Sequence, residues 1–167
     1  TLQVDFPYRY MDAIEHIKRM FDGNELKGPM HYLFTTINEP HRKEDKAHYE
    51  TIKQHIQSGG PMMIGGSHYL DLLIYFNDSK RAIVIGNGLR MKQDIPGNTL
   101  ESAVIEFDNG STATLVIGWL VRIGEDKYKH DKEKLGMPWP APVPSDIRIY
   151  AKNATLVFDY YKTRHLE

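Results

Sequence analysis

Leu100-Glu101-Ser102-Ala103-Val104-Ile105-Glu106-Phe107 runs into Asp108-Asn109-Gly110 and out again as Ser111-Thr112-Ala113-Thr114-Leu115-Val116-Ile117-Gly118-Trp119-Leu120. Both flanks are rich in residues that favour strands. Asn109 and Gly110 between them accept positive φ, so the stretch predicts an antiparallel hairpin. Residues 146–151 and 154–160, parted by Lys152-Asn153, predict a second hairpin. Residues 82–85 add a short apolar strand. The first hairpin is apolar on both alternations, with Ala113, Leu115, Ile117 and Trp119 on one and Val116 and Leu120 on the other. A sheet apolar on both faces must cover both, one with helices and the other with a partner.

Helices come before the hairpins. After Pro7, a residue tolerated in a first helical turn, Tyr10, Ala13, Ile14, Ile17, Met20 and Phe21 recur at three- and four-residue steps. Gly23 is expected to stop this helix in the left-handed conformation, and Gly28-Pro29 to turn the chain. Residues 30–37 predict a strand and 38–46 a loop. Residues 45–57 predict a second helix with Tyr49, Ile52 and Ile56 facing inward, ended by Ser58-Gly59-Gly60-Pro61. A third helix over 67–76 is apolar almost all round and should be largely buried. Helices first and hairpins later predict an α+β domain, a mainly antiparallel open sheet with helices packed on one face. Residues 122–145 carry a charged patch and then four prolines. They are expected to form a surface excursion. The Pro-Trp-Pro-Ala-Pro-Val-Pro run of 138–144 reads as a stiff loop rather than a ligand for an aromatic groove.

Composition excludes several classes. The 167 residues fit one domain. A formal net charge of −1 argues against a general nucleic-acid binder. Cysteine is absent, which removes disulfides, thiolate nucleophiles and Cys-based zinc sites. No apolar run approaches the roughly 18 residues of a membrane span, and no signal peptide is read, so a soluble, cytoplasmic domain is expected. The chain begins Thr1-Leu2 without Met and ends Leu166-Glu167, which resembles a vector-derived scar. A piece of a longer protein is therefore expected.

Candidate chemistry is sparse. Gly86-Asn87-Gly88-Leu89-Arg90-Met91 starts like a dinucleotide fingerprint, but Met91 takes the third glycine position. Pro96 and Gly97 also argue against the helix that would receive the phosphate. No cofactor cradle is expected in this chain. His41, His48 and His55 lack the three or four convergent ligands of a metal site, and none is expected. The stretch from Ser58-Gly59-Gly60 through Gly65-Gly66-Ser67-His68-Tyr69-Leu70-Asp71 says more. Its glycines let backbone approach something closely. His68 and Asp71, three apart, share a face of the third helix. At that helix's N-terminus a neutral imidazole is favoured, able to exchange or share a proton with a ligand hydroxyl. From the spacing alone, a purely structural His and Asp, capping the helix, is the favoured reading.

Several stretches resemble, in order, the C-terminal domain of the Gfo/Idh/MocA oxidoreductases. Val4-Asp5-Phe6-Pro7-Tyr8-Arg9-Tyr10 looks like the family's strand-to-helix opening, where an Arg commonly stands at the Arg9 position. Gly23-Asn24-Glu25-Leu26-Lys27-Gly28 resembles the turn after the first helix. Ser58-Gly59-Gly60 through His68-x-x-Asp71 resembles the segment leading to the substrate-site helix. Glu106-Phe107-Asp108-Asn109-Gly110-Ser111 and residues 149–156 resemble the family's hairpins.

The resemblance implies that residues 1–165 form a substrate-binding and oligomerisation domain, of the kind that is the C-terminal α/β domain of a two-domain dehydrogenase. An N-terminal Rossmann domain, absent from this chain, would carry NAD or NADP and a catalytic Lys. The substrate would be a sugar, cyclitol or related polyol, and the open sheet face would pair subunits into a homodimer or homotetramer. It implies that His68 binds or protonates the reacting oxygen and that Arg9 and Tyr69 lie near the substrate or the domain junction. One departure stands out: the family often has Asp four residues before the His, and Ile64 is there. Either His68 works with the Lys of the absent domain, the preferred reading, or Asp71 substitutes in part, or the parent has drifted from alcohol oxidation. A second reading keeps the fold and makes the chain an inactive self-association module.

Overall fold

The strands are β1 (His31–Asn38), β2 (Ala82–Leu89), β3 (Leu100–Phe107), β4 (Thr112–Trp119), β5 (Val143–Tyr150) and β6 (Thr155–Asp159). They form one sheet in the order β2-β3-β4-β1-β5-β6. Neighbours are antiparallel except β1 and β4, which run parallel from His31 opposite Thr112 to Asn38 opposite Trp119. The helices are α1 (Asp12–Asp22), α2 (Lys46–Gln57) and α3 (Ser67–Phe76). A 3-10 turn, Pro7–Tyr10, precedes α1, and a π-helical turn, Met62–Gly66, precedes α3. The computed structural model describes residues 6–38, 46–91, 93–119 and 143–159.

The predicted architecture is the observed one: α+β, mostly antiparallel, with helices against one face. Alternation decides which face. Tyr32 and Phe34 of β1, Ala103 and Ile105 of β3, Ala113, Leu115 and Ile117 of β4, and Ile147 and Ile149 of β5 point one way. They bury against Ile14 and Ile17 of α1 and Leu72, Leu73 and Phe76 of α3. Each large apolar side chain so buried contributes about 1.5–3 kcal/mol. A smaller cluster joins Tyr49, Ile52 and Ile56 of α2 to Ile95 and Trp119, as the 45–57 periodicity predicts for the helix residues. The other alternation leaves Ile83, Ile85, Val104 and Val157 exposed and Leu33 and Val116 half-buried. Leu120, expected on that side, lies outside the described residues.

Both hairpins form where expected. At the first, Gly110 takes φ +83° and donates to the Phe107 carbonyl (3.0 Å), while Asn109 keeps a negative φ. At the second, Ala151 N–H meets the Ala154 carbonyl across Lys152-Asn153 (2.8 Å). Four expectations need correction. The strand predicted over 82–85 runs to Leu89, as an exposed edge. Tyr10, expected on the apolar stripe, is 73% exposed, because the 3-10 turn breaks the helical phase before Asp12. The strand expected from Asp146 starts at Val143, with the register shift opposite Thr35/Ile37 falling at Pro144-Ser145. A bulge is where a sheet tolerates proline. The rest of the 122–142 excursion lies outside the described residues.

The fourth correction concerns the end of α1. Gly23 stays right-handed (φ −77°), and the left-handed residue is Asn24 (φ +55°). Glu25 N–H reaches back to the Met20 carbonyl (2.9 Å) and Asn24 N–H to that of Phe21 (3.0 Å). These are the paired bonds of a Schellman cap, with Asn in the position glycine usually fills. No helix among the described residues is long and apolar enough to cross a membrane. We predict that Asn24→Val lowers the unfolding free energy by about 1–2 kcal/mol, the cost of a β-branched side chain in the left-handed region. Asn24→Gly should stay within about 0.5 kcal/mol of the parent. Urea titration checks both, and an equal loss in the two variants would show that backbone conformation is not what Asn24 supplies.

Candidate functional site

The glycine-rich stretch folds into helix rather than loop. Gly59 (φ +141°) and Gly60 (φ +78°) turn the chain out of α2. From Gly60 onward it is helical through the π-turn into α3. Helical N–H groups at a helix start need an external acceptor. Glu101 of β3 provides it, its Oε2 accepting from Met62 N–H at 2.7 Å. A Cβ on Gly60 would lie 2.6 Å from the same carboxylate. The close approach expected of these glycines is thus to the protein itself. Gly65 lies against Trp119, and a Cβ on Gly66 would meet Met62 Sδ at 2.6 Å. The helical run therefore starts at Gly60, with Met62 in its first turn, well before Ser67. The dipole reasoning attached to His68 belongs to Met62 and Glu101. A Glu on the inward alternation of β3, with Ala103 and Ile105, is the sequence signal that could have found this cap.

His68 packs its ring against Tyr8 (centroids 5.1 Å apart) and edge-on to Phe6 (5.8 Å). Its Nδ1 is buried with no hydrogen-bond partner among the described residues, which leaves Nε2 as the nitrogen a ligand can reach. Arg9 and Asp71, both expected at the substrate, are brought together onto each other. Arg9 Nε donates to Asp71 Oδ2 at 2.7 Å and Nη2 to Oδ1 at 2.5 Å, a bidentate fork. Asp71 is only 7% exposed. The hydrogen bonds it donates to Asp71 raise the Arg9 pKa further above its ordinary value, partial burial opposing them. The guanidinium also lies 4.8 Å over the Tyr75 ring. The pair ties the 3-10 turn that carries Tyr8 to the helix that carries His68.

Tyr69, also expected near the substrate, is in the core. It is 3% exposed, its hydroxyl bonded to Thr36 Oγ1 at 2.8 Å and its ring between Tyr8 and Phe34. Ile64, where the resemblance leads one to expect Asp, packs on the cluster of α2 and Trp119. Of the histidines weighed as ligands, His55 is exposed beside Trp119. His41 and the side chain of His48 lie outside the described residues. No group of three His, Cys, Asp or Glu suited to a metal occurs among the described residues.

A groove of about 530 Å³ opens between α1, the far end of α3 and the first hairpin, lined among others by Lys18, Tyr75, Asn77 and Ser111. Asn77 lies nine residues beyond His68, about 14 Å along the helix. His68 does not line this groove, and burial and ring contacts rather than concavity single it out. The described residues do not fit a dinucleotide. Gly86 and Gly88 lie inside β2, paired with Ala103 and Glu101, and the first helical turn, at Met62, is filled by a carboxylate that would repel phosphate.

No protein-family model and no curated protein matches the chain. Solved structures do. The myo-inositol 2-dehydrogenase of Lactobacillus plantarum superposes with a TM-score of 0.68 at 16% identity, covering 93% of this chain and 41% of its own. The WlbA dehydrogenase of Bordetella pertussis, solved with NADH and UDP-GlcNAcA, gives 0.67 at 14%, covering 90% and 40%. The scyllo-inositol dehydrogenase of Lactobacillus casei, solved with NAD(H) and scyllo-inositol, gives 0.65 at 16%, covering 93% and 41%. At these identities the fold is what is shared, and this chain spans about two fifths of those chains.

Removing the cap on the helix that carries His68 should be measurable. Glu101→Ala is expected to cost about 1–2 kcal/mol, the value of a lost helix cap, and Glu101→Gln, which keeps an acceptor, about half of that. Thermal unfolding followed by circular dichroism tests it. No loss in Glu101→Ala would mean that Met62 N–H finds another acceptor.

Proposed function

We propose that this chain is the substrate-binding and oligomerisation domain of a longer NAD- or NADP-dependent oxidoreductase of the Gfo/Idh/MocA type, acting on a sugar, cyclitol or related polyol. The observation that carries the reading is His68: an imidazole on the glycine-rich helix with one nitrogen open to a ligand, in the fold shared by inositol and sugar dehydrogenases. In this reading His68 binds or protonates the reacting oxygen. The dinucleotide is held by a domain outside this chain, in keeping with the lack of a phosphate cradle among the described residues. Asp71 has both oxygens on Arg9, so proton movement at the reacting oxygen falls to a group of that other domain rather than to Asp71. Arg9, Asp71 and Tyr69 support the site from beneath.

Assembly through the open sheet face belongs to the same proposal. Ile83, Ile85 and Val104 stand exposed together toward one edge of it and Val157 toward the other, and exposed apolar side chains on a sheet face support an interface there. The product is a homodimer, or a homotetramer of two such pairs, in the cytoplasm. The second reading, a self-association module without activity, rests on the same face and on Ile64 replacing a carboxylate, since an alkyl side chain neither binds a hydroxyl nor takes a proton.

Two measurements separate the readings. In the full-length protein with its sugar-like substrate, His68→Ala should lower kcat/KM by about 10²-fold or more. An unchanged rate removes His68 from the chemistry. Sedimentation of this chain over a range of concentrations should show self-association, and a strict monomer counts against the sheet face as an interface.

A further inference from the structure

We propose that His68 meets its ligand as a fixed Nε2–H hydrogen-bond donor and is not a proton acceptor, with Arg9 and Asp71 as the positioning residues that keep it so. The inference rests on the reading that His68 faces the reacting oxygen. A neutral imidazole carries one N–H and one lone pair, on opposite nitrogens. For Nε2 to accept a proton from a ligand hydroxyl, the ring proton has to be on Nδ1. Histidines that act as bases have an acceptor there to hold it. Nδ1 of His68 is buried with no such acceptor among the described residues. A buried N–H without a partner is a rarer defect than a buried lone pair without one. The ring therefore holds its proton on Nε2. Such an imidazole polarises a carbonyl oxygen, or orients a hydroxyl, without exchanging its proton.

What packs on the His68 ring is local and tied down. Tyr8 and Phe6, which pack on the ring, lie in and just before the Pro7–Tyr10 turn. That turn is clamped to α3 by the Arg9–Asp71 fork, three residues past His68. The four-residue spacing to Ile64, where a carboxylate could have held an Nδ1 proton or oriented the ring, is filled by an alkyl group packed on the α2 cluster. Donor-only chemistry at His68 and the loss of that carboxylate are then one change. Arg9 and Asp71 touch no ligand in this scheme and act through His68.

Two experiments test it. In the 167-residue chain labelled with ¹⁵N at histidine, the neutral His68 ring should show the Nε2–H tautomer in at least about nine molecules of ten. Its ring protons should be shifted by the Tyr8 and Phe6 ring currents. In Asp71→Asn those shifts should collapse toward free-imidazole values and the tautomers should mix. Arg9→Lys, which keeps the charge without the fork, is the milder variant if Asp71→Asn unfolds. An Nδ1–H tautomer in the parent, or unchanged His68 signals in a folded variant, overturns the proposal. In the full-length enzyme, His68→Gln supplies a donor near the Nε2 position but no base. It should retain kcat/KM within about tenfold of the parent where His68→Ala loses about 10²-fold. Equal losses in Gln and Ala overturn donor-only action. No loss in either removes the oxidoreductase role instead, and leaves the tautomer measurement standing.

Discussion

The parallel pairing of β1 with β4 organises everything else. Parallel neighbours cannot be joined by a hairpin, so the chain after β1 must leave the sheet, cross one face and return. It does so through α2, the π-turn and α3, and then lays down β2 and β3 before β4 closes the circuit. This route puts α3 over the sheet with Leu72, Leu73 and Phe76 buried, and the backbone of Gly65 and Gly66 against Trp119 and Ile117. The depth at which that helix rests fixes where His68 emerges. β5 and β6 extend the sheet beyond β1, so the two central strands carry the most buried side chains, among them Phe34, Leu115 and Ile117.

Local signals in the sequence predict local structure well. Asp108-Asn109-Gly110 and Lys152-Asn153 announce their hairpins because a turn is decided by the few residues in it. The three helices are read from their apolar spacing for the same reason. The parallel pair is invisible from the sequence. It joins residues such as His31 and Thr112, 81 positions apart, and no periodicity records which strand lies beside which. The cap of the α1 C-terminus shows a subtler limit. Gly23 and Asn24 are both suited to the left-handed region, and the helix takes one residue more than the glycine suggests, because the Met20 and Phe21 carbonyls are the ones that need donors.

The candidate site was legible in its residues but not in their relations. His68 and Asp71 stand out as polar groups in an apolar helix. Spacing alone offers them a ligand or a capping role on the helix. The structure pairs Asp71 with Arg9, 62 residues away, and gives Glu101, 39 residues from Met62, the role of capping the helix. Both are long-range charge-assisted bonds between elements that the sequence does not place side by side. Tyr69, placed near the substrate by the resemblance, has its hydroxyl on Thr36 inside the core.

The chain around the site turns its charges inward. Arg9 and Asp71 neutralise one another beneath Tyr75, Glu101 is committed to the helix start, and Ile64 brings no polar atom at all. His68 is the group of this stretch left with an open nitrogen. A redox step at a carbinol carbon needs a group that holds the oxygen, a group that takes or gives its proton and an acceptor of reducing equivalents. The first can be built on this helix, because a neutral imidazole braced by Tyr8 needs only rigidity and one N–H. The second needs an ionisable group whose proton has somewhere to go, and the apolar packing of Nδ1 and Ile64 denies that here. On the proposed reading, the division between the two domains is thus also a division of chemistry. In that proposal this chain orients an uncharged oxygen with a rigid donor, and the groups that change charge during the reaction are assigned to the other domain.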